Sequence, residues 1–391
     1  MAKRPEKPPK EGARLRHVDL LSIVEHFEDL PDPRRDHNKE HQLIDIIVLS
    51  LCGVLAGCEA FTEIEQFGKH KEGFFRGFLE LPNGIPSHDT FGRVFQLLDP
   101  EGFEQCCLAW VRSLQKDFKD ASIAIDGKTL RRSFDHAEGL RPLHVLSVWC
   151  GDHNLILGQT AVDVKGNEIN ALPETIEKLN IEGATVSIDA AGCQRAVASA
   201  IRKKKADYVL ALKGNQGHLN DDVRSFFEVC LAKDFRGVEH SFHETHDTGH
   251  GRKEHRRYYA VEVPSAIRNA SLWRDLHTVC MVISEVTKGS KTTSERRYYI
   301  GSLPSDARRV ARSIRSHWSV ENNLHWVLDV VFREDDSRIR KGHAAKNMAM
   351  LRRFTLSLLK HDKSKGSLKT KRKKAGWDNE FLFQILATRC D

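Results

Sequence analysis

Ser122-Ile123-Ala124-Ile125-Asp126 and Ala184-Thr185-Val186-Ser187-Ile188-Asp189 are two short runs, rich in apolar and β-branched residues, that each close on an aspartate. Such a run reads as a buried strand, and a carboxylate at its last position is delivered to the end of a sheet, where a ligand can reach it. The surrounding pattern supports this. Strands are predicted over 143–150 and 155–163, a helix over 168–179, then the second aspartate-ended strand. A helix over 194–205 and a strand over 207–213 follow.

The order βββαβαβ is that of the RNase H fold, an α/β core with a mixed five-stranded sheet. Its first three strands run antiparallel, and its first and fourth lie side by side in the centre. Neighbouring strands sit about 5 Å apart, so Asp126 and Asp189 would be close enough to share a metal ion. The expected first part of this core spans 119–235.

Upstream, residues 1–16 are polar, basic and proline-containing, as in a disordered arm. Residues 17–118 read as an all-helical N-terminal domain, with helices over 17–30, 43–57, 60–70 and 102–117. Within it the segment 61–79, the turn Leu81-Pro82-Asn83-Gly84-Ile85-Pro86 and a helix capped by Ser87 suggest a helix-turn-helix. Downstream, 236–303 reads as a β-rich insertion, with strands over 238–243, 256–263, 276–286 and 294–302. The like segments Glu254-His255-Arg256-Arg257-Tyr258-Tyr259 and Glu295-Arg296-Arg297-Tyr298-Tyr299 are expected on adjacent strands of one inserted sheet. Helices of the core resume over 304–360, and 361–391 forms a basic tail with a terminal helix.

The chain has 391 residues, 40% of them hydrophobic, which is enough to bury a sizeable core. Its net charge of +7 favours a polyanionic partner. From 360 to 374 there are seven lysines and one arginine against Asp362 alone, a tract that reads as an electrostatic hand for phosphate. Nine cysteines without a CxxC pair point to reduced, buried thiols. The most apolar stretch, 43–57, is too short for a membrane span and carries Asp45, so a buried helix and a soluble intracellular protein are expected. The dense run His240, His243, His246, His250 and His255 lacks a cysteine in register and reads as a polar, DNA-facing insertion surface rather than a zinc site.

A third carboxylate, Glu321, stands in a helical stretch over 305–331. Helical spacing puts His317, Glu321, His325 and Leu328 on one stripe with Trp318 beside it. Asp329, Glu334, Asp335 and Asp336 are alternative acids for the same role. Carboxylates with open positions suit Mg²⁺, or Mn²⁺ in its place, for phosphoryl transfer. Asp126, on the central strand, is then the natural bridge between two ions. Lys128 and Arg131, just after Asp126, and Lys213 and Asn215, at the end of the fifth strand, are candidates for contacting the phosphates of double-stranded DNA. Trp318 and Trp326 could stack on a flipped base, but at helical spacing they read rather as core residues.

The strings Ile125-Asp126-Gly127-Lys128-Thr129-Leu130-Arg131, Ser187-Ile188-Asp189-Ala190-Ala191-Gly192, Leu212-Lys213-Gly214-Asn215-Gln216 and His317-Trp318-Ser319-Val320-Glu321-Asn322-Asn323-Leu324-His325-Trp326 resemble those of bacterial DDE insertion-sequence transposases. The nearest group is the ISAs-one type, which includes the H-repeat-associated proteins. The run 81–95 also resembles that group's associated helical domain, so the likeness covers most of 17–360. The resemblance implies Mg²⁺-dependent strand cleavage at insertion-sequence ends, strand transfer into target DNA, and a catalytic and metal-holding triad of Asp126, Asp189 and Glu321. It implies a cytoplasmic, nucleoid-associated protein that works on two DNA ends as a homodimer. Related transposases carry a tyrosine, an arginine and a lysine around the glutamate, where this chain has Ile314, His317 and Leu328. Their phosphate contacts would pass to Arg315, His317 or His325. A domesticated, catalytically silent DNA-binding protein is the alternative reading.

Overall fold

The computed structural model describes residues 25–387 apart from 116, 135–138, 140, 163–166 and 250. The N-terminal arm, and most of the helix expected over 17–30, lie outside the described residues. In chain order the helices are α1 (Leu43–Ala56), α2 (Phe61–His70), α3 (Glu72–Phe75), α4 (His88–Leu97), α5 (Pro100–Leu114), α6 (Glu168–Glu177), α7 (Arg195–Lys203), α8 (His218–Ala232), α9 (Ala307–Val320), α10 (Trp326–Val330), α11 (Ala344–His361), α12 (Leu368–Trp377) and α13 (Asn379–Leu386). The strands are β1 (Ser122–Thr129), β2 (His144–Cys150), β3 (Leu155–Val162), β4 (Thr185–Ile188), β5 (Asp207–Leu212), β6 (Ser241–Gly249), β7 (Arg252–Glu262), β8 (Thr278–Lys288) and β9 (Lys291–Gly301).

The chain divides into two compact units. One comprises 1–116, 130–143 and 327–391, and its described residues form helices and their connections. Its α1 is buried from Asp45 to Leu55, as an apolar run too short for a membrane must be. Among the described residues no single helix is long and apolar enough to cross one. Ser87 caps α4 by accepting the Thr90 N–H, and Asp99 caps α5 by accepting the Gly102 N–H ahead of a first-turn proline.

The basic tract departs from the expected tail. Lys369, Lys371, Arg372, Lys373 and Lys374 lie on α12, and Arg372 is buried: its guanidinium donates to the Val54 carbonyl at 2.8 Å and to the Val331 carbonyl, and lies 4.3 Å over the Phe332 ring. Lys371, also buried, pairs with Asp362 at 2.9 Å. A basic run therefore supplies donors for carbonyls at helix ends, and these two cations are not presented to phosphate. Deeper in the same unit Arg353 and Glu334, both fully buried, pair at 2.7 Å. Glu334 is thereby committed to the core and drops out as an alternative catalytic acid.

The other unit comprises 117–129 and 144–326 and is built on one mixed sheet of nine strands in the order β3-β2-β1-β4-β5-β9-β8-β7-β6. The first five have the expected pairing: β1 is antiparallel to β2 and parallel to β4, and β4 is parallel to β5. The insertion differs from a separate inserted sheet. It continues the core sheet because β9 pairs antiparallel with β5, Leu210 opposite Ile300, which covers an edge that β5 would otherwise leave open. The two like Arg/Tyr segments lie on β7 and β9, on either side of β8 rather than side by side. One face of this outer half carries Tyr258, Ala260, Cys280, Val282 and Tyr299, which pack on Val310, Ala311 and Ile314 of α9.

Removing one partner of the Arg353–Glu334 pair strands a charge in an apolar interior. Glu334→Ala is expected to destabilise the helical unit by about 3–5 kcal/mol in a urea titration. A loss below about 1 kcal/mol would show that the pair is dispensable.

Candidate active site

Parallel pairing sets Ile125 against Ile188, so the next residues, Asp126 and Asp189, leave the centre of the sheet at the same level on neighbouring strands. The two runs end differently. β4 stops at Ile188, whereas β1 continues to Thr129 because β2 still pairs with it, Asp126 lying opposite Ser147 and Thr129 opposite His144. Asp126 is therefore held mid-strand. Asp189 is held by its turn, in which Oδ1 accepts the backbone N–H of Ala191 at 3.0 Å and of Gly192 at 3.2 Å. A Cβ on Gly192 would overlap Ile188 Cγ2 and lie 2.9 Å from Leu172 Cδ1, which explains a glycine here. On the opposite face of β1, Gly127 leaves room for a buried His144 paired with Glu168.

The third carboxylate arrives on the helix after α9. There the backbone widens into a π turn over Glu321–His325, one of the distortions that recur at functional sites. His325 is buried, and its Nδ1 lies 3.3 Å from Glu321 Oε2 and 3.6 Å from Asp126 Oδ2. One ring nitrogen thus faces a carboxylate from the helix and a carboxylate from the sheet. Burial raises the Asp126 carboxyl above its ordinary value. The His325 ring and the Gly127 N–H oppose that rise, and the negative charges of Asp189 and Glu321 add to it. His317, one turn before Glu321, is pushed below the ordinary histidine value by burial, against the pull of Asp189. Asp126 thus feels His325, Asp189 and Glu321, and His317 feels Asp189. Two carboxylates beside a half-buried third, all hard oxygen donors and with Glu321 exposed, are a donor set suited to a divalent cation.

Comparison with known proteins decides the family. The Transposase DDE domain matches residues 117–359, and the DDE_Tnp_1-associated family matches residues 24–111. The chain belongs to the DDE transposases. Among its relatives, the H repeat-associated putative transposase YhhI of Escherichia coli K12 is 38% identical over 95% of this chain and 99% of that protein. The putative transposase YncI of E. coli O157:H7 is 36% identical over 95% of this chain and 96% of its own length. A solved piggyBac transposase synaptic complex with hairpin DNA aligns at 11% identity and a TM-score of 0.43, over 97% of this chain and 84% of that one.

Around the carboxylates of this transposase, the residues expected to meet DNA fall into distinct settings. Lys128 shares the Asp126 face of β1 but is buried. Arg131 belongs to the helical unit and is paired with Asp335 at 3.2 Å. Lys213 and Asn215 are exposed after β5, and Asn215 Nδ2 donates to the Ala190 carbonyl at 2.7 Å, tying its loop to the Asp189 turn. Arg315 is paired with Asp247 at 3.4 Å, across the sheet face that carries α9.

Two features escaped the sequence reading. A cavity of about 470 Å³ is lined by Asp189, Lys213, Arg297, His317 and Trp318, with the Arg297 guanidinium 4.3 Å over the Trp318 ring. Only the β5–β9 pairing brings Arg297 there, and nothing local in sequence signals it. Trp326, expected in the core, is 53% exposed directly after the π turn.

The sign of the Asp126 effect gives a test. Its carboxyl is raised in the fold, so the stability it contributes is present below the ordinary carboxylate range and is lost as pH rises through the elevated value. At neutral pH the ionised group is a net cost. Asp126→Asn in this transposase is expected to raise the Tm of the metal-free protein and to abolish any further stabilisation by a divalent cation. A lower Tm, with Mg²⁺ still stabilising the variant, would contradict the assignment.

Proposed function

We propose that this transposase cleaves DNA at insertion-sequence ends and joins the freed strand to target DNA, in an Mg²⁺-dependent reaction at Asp126, Asp189 and Glu321. The observation that carries this reading is the single His325 nitrogen lying between Asp126 and Glu321, with Asp126 also feeling the charge of Asp189. When bound, magnesium would neutralise phosphate charge and activate an oxygen nucleophile at the three carboxylates, with Mn²⁺ as a substitute.

The protein's own residues supply placement. Asp126, paired with Ser147 of β2 one residue beyond the last β1–β4 pair, is the rigid member and feels the charge of the other two acids. The Ala191 and Gly192 N–H groups hold Asp189 in one rotamer, so its free oxygen faces outward. His325 limits the swing of Glu321, whose side chain is otherwise 75% exposed. Lys213 and Asn215, at the same edge, offer donors to phosphates on either side of the scissile one, and Trp326 offers an exposed ring to a base. The partners in this reading are the double-stranded DNA of two ends and of the target, held by a homodimer in the bacterial cytoplasm at the nucleoid.

Ile314 favours a second reading, a silent DNA-binding protein of transposase origin. It is buried in the apolar cluster beneath the outer sheet, where a polar phosphate contact is expected in related enzymes. One assay separates the two. With a duplex carrying the element's end and Mg²⁺, the full chain is expected to nick one strand. Asp126→Asn, Asp189→Asn and Glu321→Gln are each expected to slow nicking by roughly a thousandfold or more, with DNA binding within about threefold of the parent. Tight binding without nicking by the unaltered protein would establish the silent reading. Unchanged nicking in any variant would remove that residue from the site.

A further inference from the structure

The histidine-rich insertion, read linearly, has no metal-ligand spacing. Strand register changes that. β6 and β7 pair antiparallel with His246 directly opposite His255, and Glu244, two residues before His246, lies on the same face of β6. The two imidazoles lie nearly parallel, with ring centroids 4.2 Å apart. His255 Nε2 is 3.0 Å from Glu244 Oε2, and His246 Nε2 is 3.9 Å from the same oxygen. One donor atom from each of Glu244, His246 and His255 lies within 4.8 Å of the others, and among the described residues this is the group of three that does so. Tetrahedral zinc with bonds near 2.1 Å spaces its ligands about 3.4 Å apart, so rotamer shifts can close these donors, now within 4.8 Å of one another, on one ion.

A second observation comes from the next strand. Glu285 of β8 lies opposite His255, and its Oε2 is 3.6 Å from His255 Nδ1. A carboxylate on the far nitrogen of a histidine favours the tautomer whose other nitrogen is free to bind metal and raises that nitrogen's basicity. The same Glu285 holds Arg257 at 2.7 Å, which ties up a cation that would otherwise stand against Glu244. The cluster is accessible, because Glu244 and His246 are exposed. It is also separate from the carboxylates. Tyr258 and Ala260 of β7 face α9, so by strand alternation His255 points to the opposite face of the sheet.

We propose that Glu244, His246 and His255 form a zinc-class metal site, with two imidazoles, one carboxylate and a fourth position open to water or a partner's ligand. Two histidines and a carboxylate suit Zn²⁺ over Mg²⁺, which prefers an all-oxygen shell. Its position gives it a role: β6 is the outermost strand of the sheet, half or fully exposed along its length, and the metal clips it to β7.

The test is a Zn²⁺ titration of the full-length, metal-stripped protein against a chromophoric chelator, with excess Mg²⁺ present to occupy the oxygen-donor site. The parent protein is expected to bind one more equivalent of Zn²⁺ than His246→Ala or His255→Gln. Glu285→Gln is expected to keep that equivalent at roughly 10–100-fold weaker affinity. Hydrogen exchange of the β6 amides is expected to slow with Zn²⁺ in the parent and not in His246→Ala. Equal Zn²⁺ stoichiometry and affinity in the parent and both histidine variants would overturn the proposal. So would loss of the equivalent without any change in β6 exchange, which would remove the clip.

Discussion

The parallel pairing of β1 with β4 is the constraint from which the rest of the site follows. It brings two aspartates out of the sheet at one level, and it leaves Asp126 half-buried among negative neighbours that would be cheaper to keep apart. A fold that only needed stability would place an apolar residue there. In the proposed reaction a cation offsets that cost, and the remaining features of the site serve to keep the group in place. β2 locks Asp126 within a strand, a two-amide turn locks Asp189, and a buried histidine on a π turn brings Glu321 to the same point.

The outer half of the sheet acts on the same point indirectly. Because β9 adds to β5, the apolar faces of β7, β8 and β9 form the floor on which α9 packs, through Val310, Ala311 and Ile314. The orientation of α9 decides which side of the following π turn faces Asp126. An insertion that looks like an appendage in sequence is thus part of the platform for the third carboxylate. It also carries Arg297 to the cavity beside Asp189.

Much of the core was legible because its signals are local. The apolar runs ending in Asp126 and Asp189 mark their strands, and the spacing of His317, Glu321 and His325 marks one helix face. Ser87 before α4 marks a cap that the structure reproduces. What stayed hidden depends on pairing between distant segments. The length of β1 beyond Asp126 is set by β2, the union of insertion and core by β5 and β9, and the Glu244–His246–His255 cluster by the β6–β7 register. Charge misled in a different way. Lys371 and Arg372 look like surface cations, but each finds buried oxygen acceptors, which repay the cost of removing it from water.

The central claim is that Asp126, Asp189 and Glu321 converge on divalent metal, and anomalous diffraction from crystals of the full chain with Mn²⁺ and end DNA tests it most directly. The account expects one or two manganese peaks within about 2.2 Å of Asp126 oxygens, with Asp189 and Glu321 completing the protein ligands. Manganese ordered elsewhere, with Glu321 turned from the two aspartates and no peak between them, would contradict it.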